Sequence, residues 1–360
     1  MMKALILAAG EGTRLRPLTW ACPKQLLPLA GRPVVFYVIQ KIAEAGIDDI
    51  GMVVSPNREE EFRKVVGGGS KWGVKIDYVV QPKPLGLAHA VKVSHSFINS
   101  SPFLLFLGDN LLEIEIASLL SEFKNSASDA LILLKEVSDA RAFGVAELDD
   151  QGKIVHVEEK PNKPCSNLAL VGVYLFSEVV WEIIEGLQPS PRGELEITDA
   201  IQGLINRGRE VRSYILPGRW LDVGQRDDLL LANSLLLQDR IQPEIQGEVD
   251  SKSHISGNVE MGRGTVVRES NIEGPAFLGK DCEIISSSVG PEVSLGAKVR
   301  IENCLIERSI IMEGCHISRI HLRDSILGRR AKVAGKGRND CTRLTLADDC
   351  QVELWDSETS

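Results

Sequence analysis

Apolar residues in the first 225 positions fall into short unbroken runs, set between longer stretches of helical patterning. Runs at 3–8, 50–54, 76–80, 103–107, 130–135, 153–158, 168–176 and 211–216 have strand length, and Val34 to Ala45, Glu59 to Val66 and Ala88 to Ile98 read as helices between the first of them. Strands that are apolar along their whole length, alternating with helices, predict a Rossmann-like α/β sheet, mixed but mainly parallel and covered on both faces. Chemistry in such sheets gathers outside the carboxyl ends of the strands.

A helix is predicted over 226–241, where Leu229, Leu230, Ala232, Asn233, Leu236 and Leu237 make a mostly apolar face before Pro243 stops it. The texture then changes to β-branched residues punctuated by glycine. Aliphatic residues recur six apart: Ile272, Leu278 and Ile284 form one row, Val289, Leu295 and Ile301 a second, and Val293, Val299 and Leu305 a third. Gly279, Gly290 and Gly296 fall at turn-like places beside them. This period fits neither a helix nor a hairpin array, but it does fit a left-handed parallel β-helix in which each hexad forms one side of a triangular coil. The repeat slips by one between Ile284 and Val289 and loosens after 306. The expected domains are therefore 1–242, an α/β domain, and 243–355, the coil.

Composition narrows the function. With 360 residues, 43% apolar and 25% charged, the chain is long for one core and ordinary for a globular protein. A net charge of −9 argues against general nucleic-acid binding, which needs a basic surface. No apolar stretch reaches membrane-helix length and the N-terminus lacks a signal-peptide pattern, so a cytoplasmic protein without membrane partners is expected. The seven cysteines form no Cys-x-x-Cys pair and the six histidines show no ligand spacing with them, which predicts reduced thiols and no zinc site.

The first apolar run delivers Gly10-Glu11-Gly12-Thr13-Arg14-Leu15-Arg16-Pro17, with Pro23-Lys24-Gln25-Leu26 close behind. Small residues let a polyanion approach the backbone, and Arg14 and Lys24 supply charge for a triphosphate. A dinucleotide fingerprint would need glycine where Leu15 stands, and a P-loop would need Gly-Lys followed by Ser or Thr; neither is present. Asp109 follows the run 103–107, and Asp222 sits in Trp220-Leu221-Asp222-Val223-Gly224 after another run. Two aspartates from distant sequence can share one Mg²⁺ with substrate phosphates. Glu158-Glu159-Lys160 and Arg192 place carboxylate beside cation, a pairing suited to a sugar phosphate.

Taken in order, Gly10–Pro17, Pro23-Lys24-Gln25-Leu26, Gln81 with Gly86-Leu87-Ala88, Gly108-Asp109-Asn110, Phe143-Gly144, Glu159-Lys160-Pro161, the stretch from Arg192 to Asp199, and Trp220-Leu221-Asp222 with Gly224 resemble the sugar-1-phosphate nucleotidylyltransferases. The resemblance is closest to glucose-1-phosphate thymidylyltransferases of the long, coil-bearing form. It implies that Ala9, Gly10, Gln81 and Gly86 frame the base, and that Gly12, Thr13, Arg14 and Lys24 hold the triphosphate. Asp109 and Asp222 would bind Mg²⁺. Gly144, Glu159, Leu170 and Tyr174 would line the hexose, with Lys160 and Arg192 on its phosphate. The implied partners are dTTP, or UTP, and a hexose 1-phosphate, with a homo-oligomer as the assembly.

Two choices stay open at this level. His89 stands where short thymidylyltransferases usually carry Gln, a feature shared with uridylyltransferases; it is either a base-selecting residue or a helix residue without ligand contact. The coil is expected to serve assembly or regulation; the alternative is acetyl transfer, for which His254, His316 and His321 are the candidate bases. A nucleotide-sugar sensor would be expected to lose a phosphate-binding cation or metal carboxylate, and this chain keeps all of them.

Overall fold

The computed structural model describes residues 2–99, 101–337 and 340–354; Trp355, the expected end of the coil, lies outside them. The chain divides into two compact units. One comprises residues up to Gly10 with Val35–Asp222; the other comprises Glu11–Val34 with the chain from Val223 onward.

The first unit is built on β1 (Lys3–Leu7), β2 (Asp49–Val54), β3 (Lys75–Val80), β4 (Phe103–Leu107), β5 (Asn110–Leu112), β6 (Ala130–Glu136), β7 (Gly144–Leu148), β8 (Ile154–Glu159), β9 (Leu168–Phe176), β10 (Val211–Ile215) and β11 (Trp220–Asp222). Nine strands form one sheet along the path β8-β7-β9-β4-β1-β2-β3, with β6 joining β9 and β10 joining β6. Pairing is parallel from β4 through β1 and β2 to β3, whereas β9 runs antiparallel to β4, β6 and β7. The apolar run of β9 is buried along nearly its whole length, which satisfies a central strand of either direction.

Helices α1 (Val34–Glu44), α2 (Glu59–Val66), α3 (Leu87–Val93), α4 (Ile116–Ser126), α5 (Ile197–Asn206) and α6 (Arg226–Arg240) complete the main elements. The helix expected over 88–98 is broken. It stops at Val93, Ser94 turns its hydroxyl onto the Ala90 carbonyl, and a single further turn, His95–Ile98, follows. Helices α4 and α5 and strand β7 complete the fold beyond the elements read from the sequence.

In the second unit the chain from Glu244 to Glu353 forms three stacked parallel sheets of 7, 7 and 6 strands, a three-sided coil. Ile272, Leu278 and Ile284 are successive inward residues on the three sides, each wholly buried. The next turn begins at Val289, which stacks on Ile272. A turn is thus 17 residues long, with sides of six, six and five, and the slip in the sequence is the short third side. Later turns shorten again, since Ile306 stacks under Leu322, sixteen on.

The corners carry side chains in the left-handed region, among them Glu269, Ser286, Asn303 and Arg319 on one edge. Each costs roughly 1–2 kcal/mol. Each turn between Ile272 and Val333 buries three aliphatic side chains worth about 1.5–3 kcal/mol apiece, so the interior there outweighs the corners. Gly279 stacks on Gly296 so closely that a Cβ there would lie 2.6 Å from the Gly296 carbonyl carbon.

The outer surface of the coil is not uniform. On one side the outward row is Phe277, Ser294, Ile310 and Ile326, and the last three are 4%, 1% and 0% exposed. On the next side the corresponding row is Glu283, Arg300, His316 and Lys332. All four of these lie open to solvent. Helix α6 belongs to the coil's unit: Arg226 bonds Thr345 Oγ1, Ser234 and Gln238 bond the two carboxylate oxygens of Glu292, and Asn233 accepts from Ser294. The coil and α6 thus share a contact, made by these polar bonds and by Phe277, which packs on the cluster of Leu237 and Ile241.

Candidate active site

Strands β1 and β4 end level with each other, Leu7 opposite Leu107. Beyond them Ala8, Ala9 and Asp109 are buried while Gly10 is exposed. Gly108 donates to the Leu7 carbonyl at 2.9 Å, fixing the turn that aims Asp109. Strand β11 then returns antiparallel to β5, pairing Asp222 with Asn110, the residue after Asp109. Asp222 is therefore the last residue of a strand, one step further in than the sequence implied. Trp220 Nε1 donates to Asn110 Oδ1 at 2.6 Å, and its ring packs on Phe143 at 5.0 Å between centroids. No role was read for Trp220 from its motif, yet it links β11 and β5 to the turn before Gly144.

Gln81 follows β3, its N–H donating to the Val54 carbonyl at 2.9 Å. Its side-chain Nε2 faces the Gly86 carbonyl at 3.1 Å and His89 Nδ1 at 3.0 Å. Burial, and then the charge of Lys92, hold His89 below the usual imidazole range, so a neutral ring accepts at Nδ1. Both amide protons of Gln81 are then engaged and its Oε1 is left to accept. His89 thus acts on Gln81, a contact that the helical spacing of α3 could not reveal. Gly86 has φ +99°, and a Cβ there would meet the Leu195 carbonyl at 2.4 Å. Leu195 donates to Leu85 O at 2.8 Å and accepts from Ala88 N at 3.0 Å, lacing this turn to the stretch that carries Arg192.

Gly144 and Glu159 are cross-strand partners in β7 and β8. Glu159 Oε1 accepts from Arg192 at 3.2 Å and lies 3.5 Å from Lys160 Nζ, while Oε2 accepts from Thr198 at 3.3 Å. A Cβ at Gly144 would come within 3.2 Å of Glu159 Oε2 and 3.5 Å of Leu170, so glycine keeps this floor open. Tyr174 is buried, and burial together with the Glu159 charge pushes its phenol up. Burial also raises Glu196 and Asp199, with Glu159 adding to both. Lys160 sits at φ +43°, a costly backbone state of the sort found at functional sites. All six residues expected for the sugar phosphate are thus gathered. Thr198 and Glu196 join them from within the same quoted stretch.

The remaining candidates belong to the coil's unit. Gly12 has φ +64°, and a Cβ there would lie 2.9 Å from Thr19 and 3.3 Å from Lys24 Cβ. Thr19 Oγ1 donates to the Gly12 carbonyl at 2.8 Å, folding the loop back so that Gly12, Thr13 and Lys24 share one turn of chain. Arg14 borders a cavity of about 420 Å³ together with Asp228 and Arg226 of α6 and Arg343 and Thr345 of the coil. Burial raises the Asp228 carboxyl, and the Arg14 charge opposes that rise.

Among the described residues no group of three or more His, Cys, Asp or Glu is arranged for a metal ion. None of the seven cysteines is in a disulfide, and among the described residues no helix is long and apolar enough to cross a membrane.

A small-residue turn at the end of β1 and a buried carboxylate just past the end of β4 stand where a parallel sheet gathers its chemistry. The sequence model of the nucleotidyl transferase family matches residues 3–239, and the chain belongs to that family. It is 42% identical to a glucose-1-phosphate thymidylyltransferase of Streptomyces griseus, over 98% of this chain and 99% of that protein. A Bacillus anthracis chain solved with sucrose and described as a glucose-1-phosphate thymidylyltransferase superposes with TM-score 0.62 at 36% identity, covering 65% of this chain and 95% of that one. A UDP-glucose pyrophosphorylase solved with UDP-glucose gives TM-score 0.60 at 25% identity, covering 67% of this chain and all of that one.

Proposed function

We propose that this chain transfers a thymidylyl group from dTTP to glucose 1-phosphate, giving dTDP-glucose and pyrophosphate. The observation that carries the reading is the register of Asp222 with Asn110, one residue from the buried Asp109 at the end of β4. Two hard oxygen donors without a third protein ligand suit Mg²⁺, which takes few carboxylates and fills its shell from phosphate and water. Mg²⁺ held by Asp109 and Asp222 would supply positive charge to the reacting phosphates.

The rest falls to the chain's own side chains. Arg14 and Lys24, with the amides of Gly12 and Thr13, hold the triphosphate; Lys160 and Arg192 hold the sugar phosphate. Together they align two anions that repel each other in water. A phosphate oxygen of the sugar phosphate forms a bond to the α-phosphorus, and the bond from that phosphorus to the bridging oxygen breaks. Pyrophosphate leaves with the electron pair. The attacking oxygen is already ionised, so no residue needs to take a proton. Glu159, Gly144, Leu170 and Tyr174 form the hexose wall, and Gln81 reads the base between Ala9, Gly10 and Gly86.

Gln81 Oε1 is suited to accept the imide N–H that thymine and uracil share. This favours both bases over adenine or cytosine and supports UTP as a second substrate. The thymine methyl alone is worth only about 1–3 kcal/mol. The test is pyrophosphate release with Mg²⁺ and glucose 1-phosphate, run in parallel with dTTP, UTP, ATP, GTP and CTP. Preference for dTTP is expected; preference for UTP transfers the chain to uridylyl chemistry, and silence with all five overturns the reading.

The same reading makes the protein a cytoplasmic homo-oligomer whose coil serves assembly or regulation, checked by light scattering. His321 already pairs with Glu307 at 3.0 Å, and acetyl-CoA turnover on an amino-sugar phosphate would reassign the coil.

A further inference from the structure

The segment that carries Gly12, Thr13, Arg14 and Lys24 belongs to the coil's unit, although β1 of the other unit leads into it. Three contacts fasten it. At its far end a two-stranded hairpin, Pro28–Leu29 with Arg32–Pro33, turns through Ala30 and Gly31, both at positive φ. The Phe277 ring lies against Gly31 so closely that a Cβ there would meet it at 2.4 Å. Asn233 Oδ1, on α6, accepts the Ala30 N–H at 2.9 Å and the Ser294 hydroxyl at 2.8 Å. Nearer Lys24, Arg329 Nη2 lies 3.8 Å from Cys22 Sγ.

Two further facts make this a built seat. Asn233 is 1% exposed; its oxygen accepts twice, while its Nδ2 is buried without a hydrogen-bond partner. Ala30, Leu237 and Ile241 form an apolar cluster against which Phe277 and Leu236 pack. Phe277 therefore stands at the end of the outward row whose other members, Ser294, Ile310 and Ile326, are already buried.

We propose that Phe277 and Asn233 are positioning residues for nucleotide binding: they hold the hairpin that ends the triphosphate loop, and through it the placement of Lys24 and Arg14. This rests on the triphosphate role given to that loop under the proposed function. The coil is then part of the nucleotide half of the reaction, and its influence falls on one substrate only.

The experiment compares Phe277→Ala, Asn233→Ala, the partial restorations Phe277→Leu and Asn233→Asp (which keeps the acceptor), and Arg300→Ala on the charged coil side as control. The KM for nucleotide is expected to rise about tenfold in Phe277→Ala and Asn233→Ala, with the KM for glucose 1-phosphate within about twofold of the parent. Phe277→Leu and Asn233→Asp should recover most of the loss, and Arg300→Ala should behave as the parent. Hydrogen exchange of peptides spanning 11–34 is read in parallel and should quicken in the two alanine variants alone.

Unchanged exchange in 11–34, or faster exchange with an unchanged nucleotide KM, overturns the proposal. Equal rises in both KM values overturn it as well, because they would mark general damage. If the parent turns over no nucleotide, the functional reading fails on its own. Exchange and calorimetric binding of inorganic tripolyphosphate then decide the seat by the same pattern: loosened loop and weakened binding support it, and parent-like values overturn it.

Discussion

The proposed sugar-phosphate floor and the proposed triphosphate loop are held together in opposite ways. The floor is local: Glu159 reaches Arg192 and Thr198 across 33 and 39 residues, within one sheet and the helix against it. The loop is fastened from far away, Ala30 to Asn233 across 203 residues and Cys22 to Arg329 across 307. Charges hold the floor together, so under the proposed function a sugar phosphate would enter by exchanging partners with Glu159. A ring and a buried amide hold the hairpin that ends the loop. Substitutions in the floor should therefore act through the sugar phosphate, and substitutions in the seat through the nucleotide.

The sharpest separation should come from residues common to both substrates. Asp109→Ala is expected to cut turnover by about 10²–10³-fold, read by pyrophosphate release, with the melting temperature little changed. A variant that keeps parental turnover would remove Asp109 from the chemistry. Next in size, Arg14→Ala should raise the KM for nucleotide by about 10–100-fold and Lys160→Ala the KM for sugar phosphate by a similar factor. Crossed effects would erase the contrast between loop and floor.

The coil offers a contrast of its own, in stability. Ile326→Ala on the covered row is expected to cost about 2–5 kcal/mol, against less than about 0.5 kcal/mol for Lys332→Ala on the open row, by denaturant unfolding. Equal costs would mean that the row is not a packed interface.

The smallest effect belongs to His89. Its pKa is lowered, so the ring is neutral and accepting at neutral pH and protonates below the ordinary imidazole value. Nucleotide affinity should weaken as pH falls below the ordinary imidazole range, when protonated Nδ1 confronts the Gln81 amide. Because the unfolded chain takes up the proton first, stability declines in the same direction as pH falls between the two values. His89→Gln should remove the pH step in affinity, measured by calorimetry.

Much of this was legible beforehand, for identifiable reasons. Glu159, Lys160 and Arg192 were readable as carboxylate beside cation, whereas Gly144, Leu170 and Tyr174 were named only by the family resemblance. The coil was readable because each inward residue repeats its environment; the slip at Val289 became intelligible once the short third side was seen. Strand β7 escaped because Gly144-Val145-Ala146-Glu147-Leu148 has neither the length nor the branching of a strong strand signal. The pairing of Gln81 with His89 escaped because it joins a strand end to a helix through a turn. The seat for residues 11–34 was out of reach of any local pattern, since its partners lie on a helix and a coil more than two hundred residues downstream. The apolar outward row at Ile310 and Ile326 was its only trace: in a coil that needs apolar residues only inside, an extra row announces a covering.

That covering bears on how such a protein can be inherited or re-engineered. A coil joined to its neighbour by a tether alone could be exchanged like a cassette. Here a cut after α6 would strip Asn233 of its Ser294 partner and Gly31 of its ring, and uncover Leu237 where Phe277 packs beside it. A transplant that succeeds has to carry three pieces at once: the coil, the helix before it, and a stretch of twenty-four residues from the other end of the chain.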